Sequence, residues 1–143
     1  MIVDTNVLFF AASEAAPEHE RASAWLEEAL NGNRRVGLPW ESLTGFVRLA
    51  TNPRVVKKPM APGDAWSLVE DWLAAPAAWI PLPTDRHAAV LGDLVRRYRA
   101  AGKLIPDAHL AALAIEHGAE VISTDTDFAR FVEIRWRNPL TGT

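Results

Sequence analysis

The sequence predicts an α/β domain built on a short, mostly parallel central sheet, and three observations carry that expectation. Short β-rich runs alternate with longer runs of helical period, the pattern left by helices that cross over between parallel strands. The β-rich runs are apolar almost throughout, as strands covered on both faces should be. The chain has 143 residues, 49% of them hydrophobic and 23% charged. That suits one globular domain spanning 1–143, which buries about two-thirds of its unfolded surface without staples.

Taken in order, Met1-Ile2-Val3 opens the sheet. Ala22, Trp25, Leu26, Ala29 and Leu30 recur at helical spacing over 17–30, and Asn31-Gly32 ends that helix. Arg35-Val36-Gly37-Leu38 is the second strand. Leu43, Phe46, Val47 and Ala50 make an apolar stripe over 40–50, which stops ahead of Asn52-Pro53. Residues 52–62, with three prolines, read as a surface loop. A helix over 62–75 follows, then a strand Ala78-Trp79-Ile80-Pro81. The next helix is expected over 84–101 with Gly102 closing it, and another over 106–117 with proline in its first turn and Gly118 at its end. Glu120-Val121-Ile122-Ser123-Thr124 is the fourth strand, a helical turn falls near 128–131, and Glu133-Ile134-Arg135-Trp136 is a weaker fifth strand.

Composition removes several functions. The chain has no cysteine, which excludes disulfide scaffolds, zinc-thiolate sites, iron–sulfur clusters and thiol nucleophiles. Any metal must be held by oxygen or imidazole. The opening residues lack an export signal, and the apolar stretches, such as 74–82, are short and broken by proline, so no membrane span and a cytoplasmic location are expected. Fifteen basic against eighteen acidic residues give a net charge of −3, unlike a protein that coats nucleic acid non-specifically.

Ligands of open parallel sheets bind at the carboxyl ends of the strands, and this chain places acids there. Asp4 follows the first strand, Glu41 the second, and Asp125 and Asp127 the fourth, while Asp107 opens the helix before that strand. Each alone is explained as a helix cap or first-turn acid. Together they would crowd one rim. Two charges 4 Å apart repel by about 4 kcal/mol at an effective dielectric of about 20. Such a cluster holds protons or attracts a cation, and all-oxygen ligands suit Mg²⁺ or Mn²⁺. These ions activate water and neutralise phosphoryl oxygens, the chemistry of phosphodiester cleavage. Thr5 and Asn6 beside Asp4, and Thr124 beside Asp125, are candidates to orient the carboxylates.

These residues resemble the PIN-domain ribonucleases, and in particular the VapC toxins of bacterial VapBC toxin–antitoxin pairs. Ile2-Val3-Asp4-Thr5-Asn6 looks like the first acidic motif of that family. Pro39-Trp40-Glu41 with Leu43, Phe46 and Arg48 looks like the second. Pro106-Asp107-Ala108-His109 through Glu116-His117-Gly118 looks like the third, and Ser123-Thr124-Asp125-Thr126-Asp127-Phe128 the fourth. Thr51-Asn52-Pro53-Arg54-Val55 is also similar to a segment of some members. The resemblance implies a three-layer α/β/α fold with Asp4, Glu41, Asp107 and Asp125 as the catalytic, metal-site acids and Asp127 as an auxiliary ligand. It implies Mg²⁺- or Mn²⁺-dependent endonucleolytic cleavage of RNA. It also implies a homodimer, inhibited by a small VapB-type antitoxin whose C-terminal peptide enters the active-site groove.

Arg48, Arg54, Lys57 and Lys58 gather positive charge around the loop after the Glu41 helix and are candidates for RNA-backbone contacts. His109 stands at the rim of the expected site, and His117, about 12 Å further along the same helix, reads as a C-terminal turn residue. Trp66 and Trp72 belong to a helix whose apolar arc is too wide for one buried stripe, which points to a protein interface. Other acidic-pocket folds match less well. A phosphatase with Asp-x-Asp after the first strand meets Asn6 instead of a second acid, and the acid pair and late lysine of a receiver-like signalling module are not evident. A PIN fold that only binds RNA would not need the intact acidic set.

Overall fold

Successive side chains of a strand leave on opposite faces, and the first strand, β1 (Ile2–Val3), divides two hydrophobic cores in this way. The computed structural model describes residues 1–141. After β1 come α1 (Thr5–Ala12), α2 (His19–Leu30), β2 (Val36–Gly37), α3 (Trp40–Ala50), α4 (Pro62–Ala74), β3 (Ala78–Trp79), α5 (His87–Tyr98), α6 (Leu104–His117) and β4 (Val121–Ile122). A 3₁₀ turn (Thr126–Arg130) and β5 (Trp136–Arg137) complete the described elements.

Val3 and Ile122 face a core with Val7, Leu8, Leu26, Phe46 and Val69 from α1 to α4. Ile2 and Val121 face the other, with Leu94, Leu110, Leu113, Phe128 and Phe131 from α5, α6 and the 3₁₀ turn with its C-cap. The result is the expected α/β/α sandwich. Truncating a fully buried side chain such as Phe46 or Leu113 typically costs about 2–5 kcal/mol.

The sheet order is β3-β2-β1-β4-β5 and every pairing is parallel, where the sequence predicted a mostly parallel sheet. From β1 the chain winds outward through β2 to β3, then returns to place β4 on the other side of β1. The reversal between β1 and β4 opens a crevice at their carboxyl ends. Ile2 pairs with Val121 and Val3 with Ile122, so the residues following these strands, Asp4 and Ser123, start level.

Several boundaries differ from the pattern reading. Helix α1 was not predicted, because Val7-Leu8-Phe9-Phe10 is a continuous apolar run without a single stripe. The helix packs against both α2 and α3. Gly45 permits the α3 contact, since a Cβ there would lie 2.5 Å from Thr5 Oγ1. Helix α5 ends at Tyr98, not at Gly102, with Arg99 in the left-handed region at φ 50° and Ala100 N–H bonded to the Val95 carbonyl at 3.0 Å. Helix α6 starts two residues before Pro106, which is harmless because N–H groups of a first turn have no helical acceptor. The last strand is Trp136–Arg137 rather than 133–136. No described helix is long and apolar enough to cross a membrane.

Candidate metal centre

Asp4 caps α1 from the crevice. Its Oδ1 accepts the Thr5 N–H at 2.8 Å, and its Oδ2 accepts Asn6 Nδ2 at 3.1 Å and the Ser123 hydroxyl at 2.7 Å. Burial pushes the Asp4 carboxyl above its ordinary range, and the Asp125 charge adds to that, against the opposing hydrogen bonds from Ser123, Thr5 and Asn6.

Asp125 caps the 3₁₀ turn and accepts the Asp127 N–H at 2.9 Å. That turn carries Asp127 round towards Asp107, in the first turn of α6. Carboxylate oxygens of Asp107, Asp125 and Asp127 all lie within 4.8 Å of one another. Asp107 is pushed up to about 7, first by burial and then by the charges of Asp125, Asp4 and Asp127, with Arg130 opposing. The nearest positive relief is weak, for Arg130 Nη2 stands 3.7 Å from Asp127 Oδ1. An arrangement of hard oxygen donors that raises its own pKa gains from a small divalent cation, and this donor set fits Mg²⁺ or Mn²⁺.

Ser123 is the residue the motifs did not single out. Fully buried, it donates to Asp4, accepts from Asn6 Nδ2 at 3.1 Å and accepts the Asp125 N–H at 3.0 Å, so one hydroxyl ties two acids together. A polar residue at the end of an apolar buried strand was the signal available. Asn6 completes the link, its Oδ1 accepting the Thr124 N–H at 3.1 Å. Thr124 therefore contributes its backbone to the network. The Thr5 hydroxyl turns away from the acids, donating to the Ser42 carbonyl at 3.1 Å and joining α1 to α3.

Glu41 stands outside the Asp107 group. It lies in the first turn of α3, half-exposed, with Oε1 3.0 Å from His109 Nε2. Behind His109 a line of polar groups on α5 and α6 runs inward to the buried Glu116. His109 Nδ1 is 3.0 Å from His87 Nε2, and His87 Nδ1 is 2.5 Å from Glu116 Oε2. Glu116 has no exposed side-chain surface and also accepts Thr84 N–H and Oγ1. Burial alone would raise its carboxyl, but the Thr84 and His87 hydrogen bonds hold it below the ordinary range.

Arg48, Arg54, Lys57 and Lys58 are exposed, and among the described residues none pairs with a carboxylate. Arg54, Lys57 and Lys58 lie in the loop that begins where α3 ends, about 16 Å along the axis from the turn that carries Glu41, while Arg48 is in the last turn of α3 itself. Trp66 is 41% and Trp40 38% exposed, with rings stacked at 6.4 Å and an interplanar angle of 5°. Trp72 is edge-on to Phe46, partly buried in the α1–α4 core.

A family model described as PIN domain matches residues 1–134. Ribonuclease VapC37 of Mycobacterium tuberculosis is 44% identical over 138 residues, covering 96% of each chain. Ribonuclease VapC33 of the same species is 39% identical over 140 residues, 98% of each. VapC ribonuclease Mb2897 of Mycobacterium bovis is 44% identical over 142 residues, 99% of this chain and 97% of its own. Among solved structures, VapBC2 from Rickettsia felis bound to a promoter DNA fragment superposes with a TM-score of 0.68 at 17% identity, covering 96% of each chain. FitAcB from Neisseria gonorrhoeae superposes at 0.59 and 19%, again covering 96% of each. With the acids of all four motifs in place along a matched length of this extent, the chain belongs to the PIN-domain family, among the VapC ribonucleases.

Proposed function

We propose that this protein is the endoribonuclease toxin of a toxin–antitoxin pair, acting in the cytoplasm on an RNA of translation and dependent on Mg²⁺ or Mn²⁺. The observation that carries the reading is the acid cluster at the β1/β4 crevice, where Asp107 is raised to about 7 by burial and its acidic neighbours. Asp107, Asp125 and Asp127 would hold the cation, with Asp4 and Glu41 at the rim. A bound ion supplies an activated water and neutralises a phosphate oxygen. Ser123 and Asn6 keep Asp4 and Asp125 in register, so little reorganisation is needed when substrate arrives. Asp107 is the acid we assign nearest the attacking water, and displacement of the bridging oxygen leaves a 5′-phosphate and a 3′-hydroxyl.

Arg48, Arg54, Lys57 and Lys58 provide phosphate contacts for the flanking strand. The exposed Trp40–Trp66 stack and the apolar face of α4 are the surface for a protein partner, since aromatic residues are enriched where partners dock. A VapB-type antitoxin and a second copy of this chain are the occupants we assign to such surfaces. The relatives named VapC ribonucleases and the neighbours solved as VapBC2 and FitAB support an antitoxin as the partner.

The test is incubation of the purified chain, freed of antitoxin, with total bacterial RNA in Mg²⁺ or Mn²⁺, beside EDTA and Asp4→Asn controls. Discrete 5′-phosphate fragments that vanish in both controls are expected. Folded protein that cleaves nothing in either metal, or cleaves equally as Asp4→Asn, would sink the nuclease reading.

A further inference from the structure

Residues two apart on a helix point about 200° apart around its axis. Asp107 accordingly faces the 3₁₀ turn, while His109 faces α3 and meets Glu41 at 3.0 Å. Despite that short distance, His109 Nε2 is buried and makes no hydrogen bond, because the approach of Glu41 Oε1 lacks hydrogen-bond geometry.

The groups behind the ring decide what Nε2 presents. The Glu116 carboxylate only accepts, so the His87 nitrogen beside it, Nδ1, carries a proton. In the tautomer in which His87 Nε2 is the acceptor of that 3.0 Å contact, His109 Nδ1 donates to it and His109 Nε2 is left bare. The lone pair of Nε2 then points beside Glu41 Oε1 rather than along the line to it, into the position an ion bound by both atoms would take. Two acceptor atoms 3.0 Å apart repel unless a cation joins them. In an octahedral site with ligands about 2.1 Å from the ion, neighbouring ligand atoms stand about 3.0 Å apart. An imidazole backed through its other nitrogen by a carboxylate-anchored chain is also the usual support of a metal-bound histidine.

We propose that His109 Nε2 and Glu41 Oε1 are paired ligands for a divalent cation, which the imidazole biases towards Mn²⁺ over Mg²⁺, and that His87 and Glu116 are positioning residues for the ring. The proposal rests on the metal-dependent reading above and places a nitrogen ligand beside Glu41, apart from the all-carboxylate Asp107 group. Half-exposed Glu41 leaves the ion open to solvent and to a phosphate oxygen.

The experiment is pulsed electron paramagnetic resonance of Mn²⁺ added to the full chain, with Mn²⁺ and Mg²⁺ affinities measured by calorimetry. The wild type should show ¹⁴N modulation from a coordinated imidazole. His109→Gln should lose that modulation while still binding Mn²⁺, and its preference for Mn²⁺ over Mg²⁺ should shrink about tenfold or more. His87→Gln should keep the modulation but bind Mn²⁺ about 10–100-fold more weakly. Mn²⁺ bound to the wild type without nitrogen modulation, as a proton on Nε2 would produce, overturns the His109 ligand and leaves the metal-dependent reading standing. Modulation that survives His109→Gln overturns it too, by assigning the nitrogen to another of the four histidines. No Mn²⁺ bound at all overturns both.

Discussion

Replacing Asp107 by Asn tests whether the acids are a strained cluster awaiting a cation. In the folded protein Asp107 is raised from 3.8 to about 7 by burial and the charges of Asp125, Asp4 and Asp127. A carboxyl raised on folding makes the folded state bind the extra proton, so stability falls as pH rises. The penalty is absent below about pH 4, grows through the interval up to about 7 and is constant above it. A rise of that size would be about 4 kcal/mol for an enclosed group. Asp107 is only half-buried, and solvent screening reduces this to roughly 1–2 kcal/mol. In EDTA at pH 7.5, Asp107→Asn should therefore melt about 3–6 °C above the wild type. At pH 4 the difference should nearly vanish. Saturating Mn²⁺ should reverse the order, because the wild type gains binding energy that the variant lacks, and RNA cleavage should be lost in the variant throughout. Scanning calorimetry at pH 4, 5.5 and 7.5, with EDTA and with Mn²⁺, checks all of this. A variant less stable than the wild type in EDTA at pH 7.5, or a gain independent of pH, would refute the repulsive-cluster argument.

Three further changes probe the supporting structure. Ser123→Ala removes the hydroxyl that ties Asp4 to Asp125 and should weaken Mn²⁺ binding about 10–100-fold by titration calorimetry; unchanged affinity would mean the acids hold their geometry without it. Arg54→Ala with Lys57→Ala should lower the salt-dependence slope of single-stranded RNA binding by about 1.4, two phosphate contacts at about 0.7 each, and an unchanged slope in fluorescence anisotropy would remove that loop from the RNA path. Gly45→Ala puts a methyl 2.5 Å from Thr5 Oγ1 and should cost about 1–3 kcal/mol in urea unfolding; a change below 0.5 kcal/mol would show that α1 and α3 separate easily.

Local pattern was enough for much of this protein. Apolar runs placed β1 through β4 to within a residue or two, because a strand covered on both faces needs such a run wherever it lies in the chain. Helical spacing placed α2, α3, α4 and α6 for the same reason. Asp4 directly after β1 and Asp125 three residues past β4 were readable as a rim once the strands were known, and the order of the four motifs specified the family. Helix α1 escaped because an element packed between neighbours has no polar face to mark its period. The end of α5 escaped because Arg99 takes a left-handed conformation that sequence reading reserves for glycine.

What the sequence determined by itself was the kind of chemistry: hard oxygen donors at strand ends, no thiols, and a chain long enough to hold them rigidly. What the tertiary structure decided was which donors meet. Residues 4, 107, 125 and 127 converge because β4 pairs with β1 in register and the 3₁₀ turn folds back on α6. Glu41, equally prominent in its motif, is carried by α3 to His109 instead. Ser123 and Glu116 fall inside motifs without being marked as site residues, and His87 lies outside all four, yet they orient the acids and the His109 ring. Pairing across more than a hundred residues depends on long-range packing of two cores against one sheet, and the local periodicity of a chain carries no record of it.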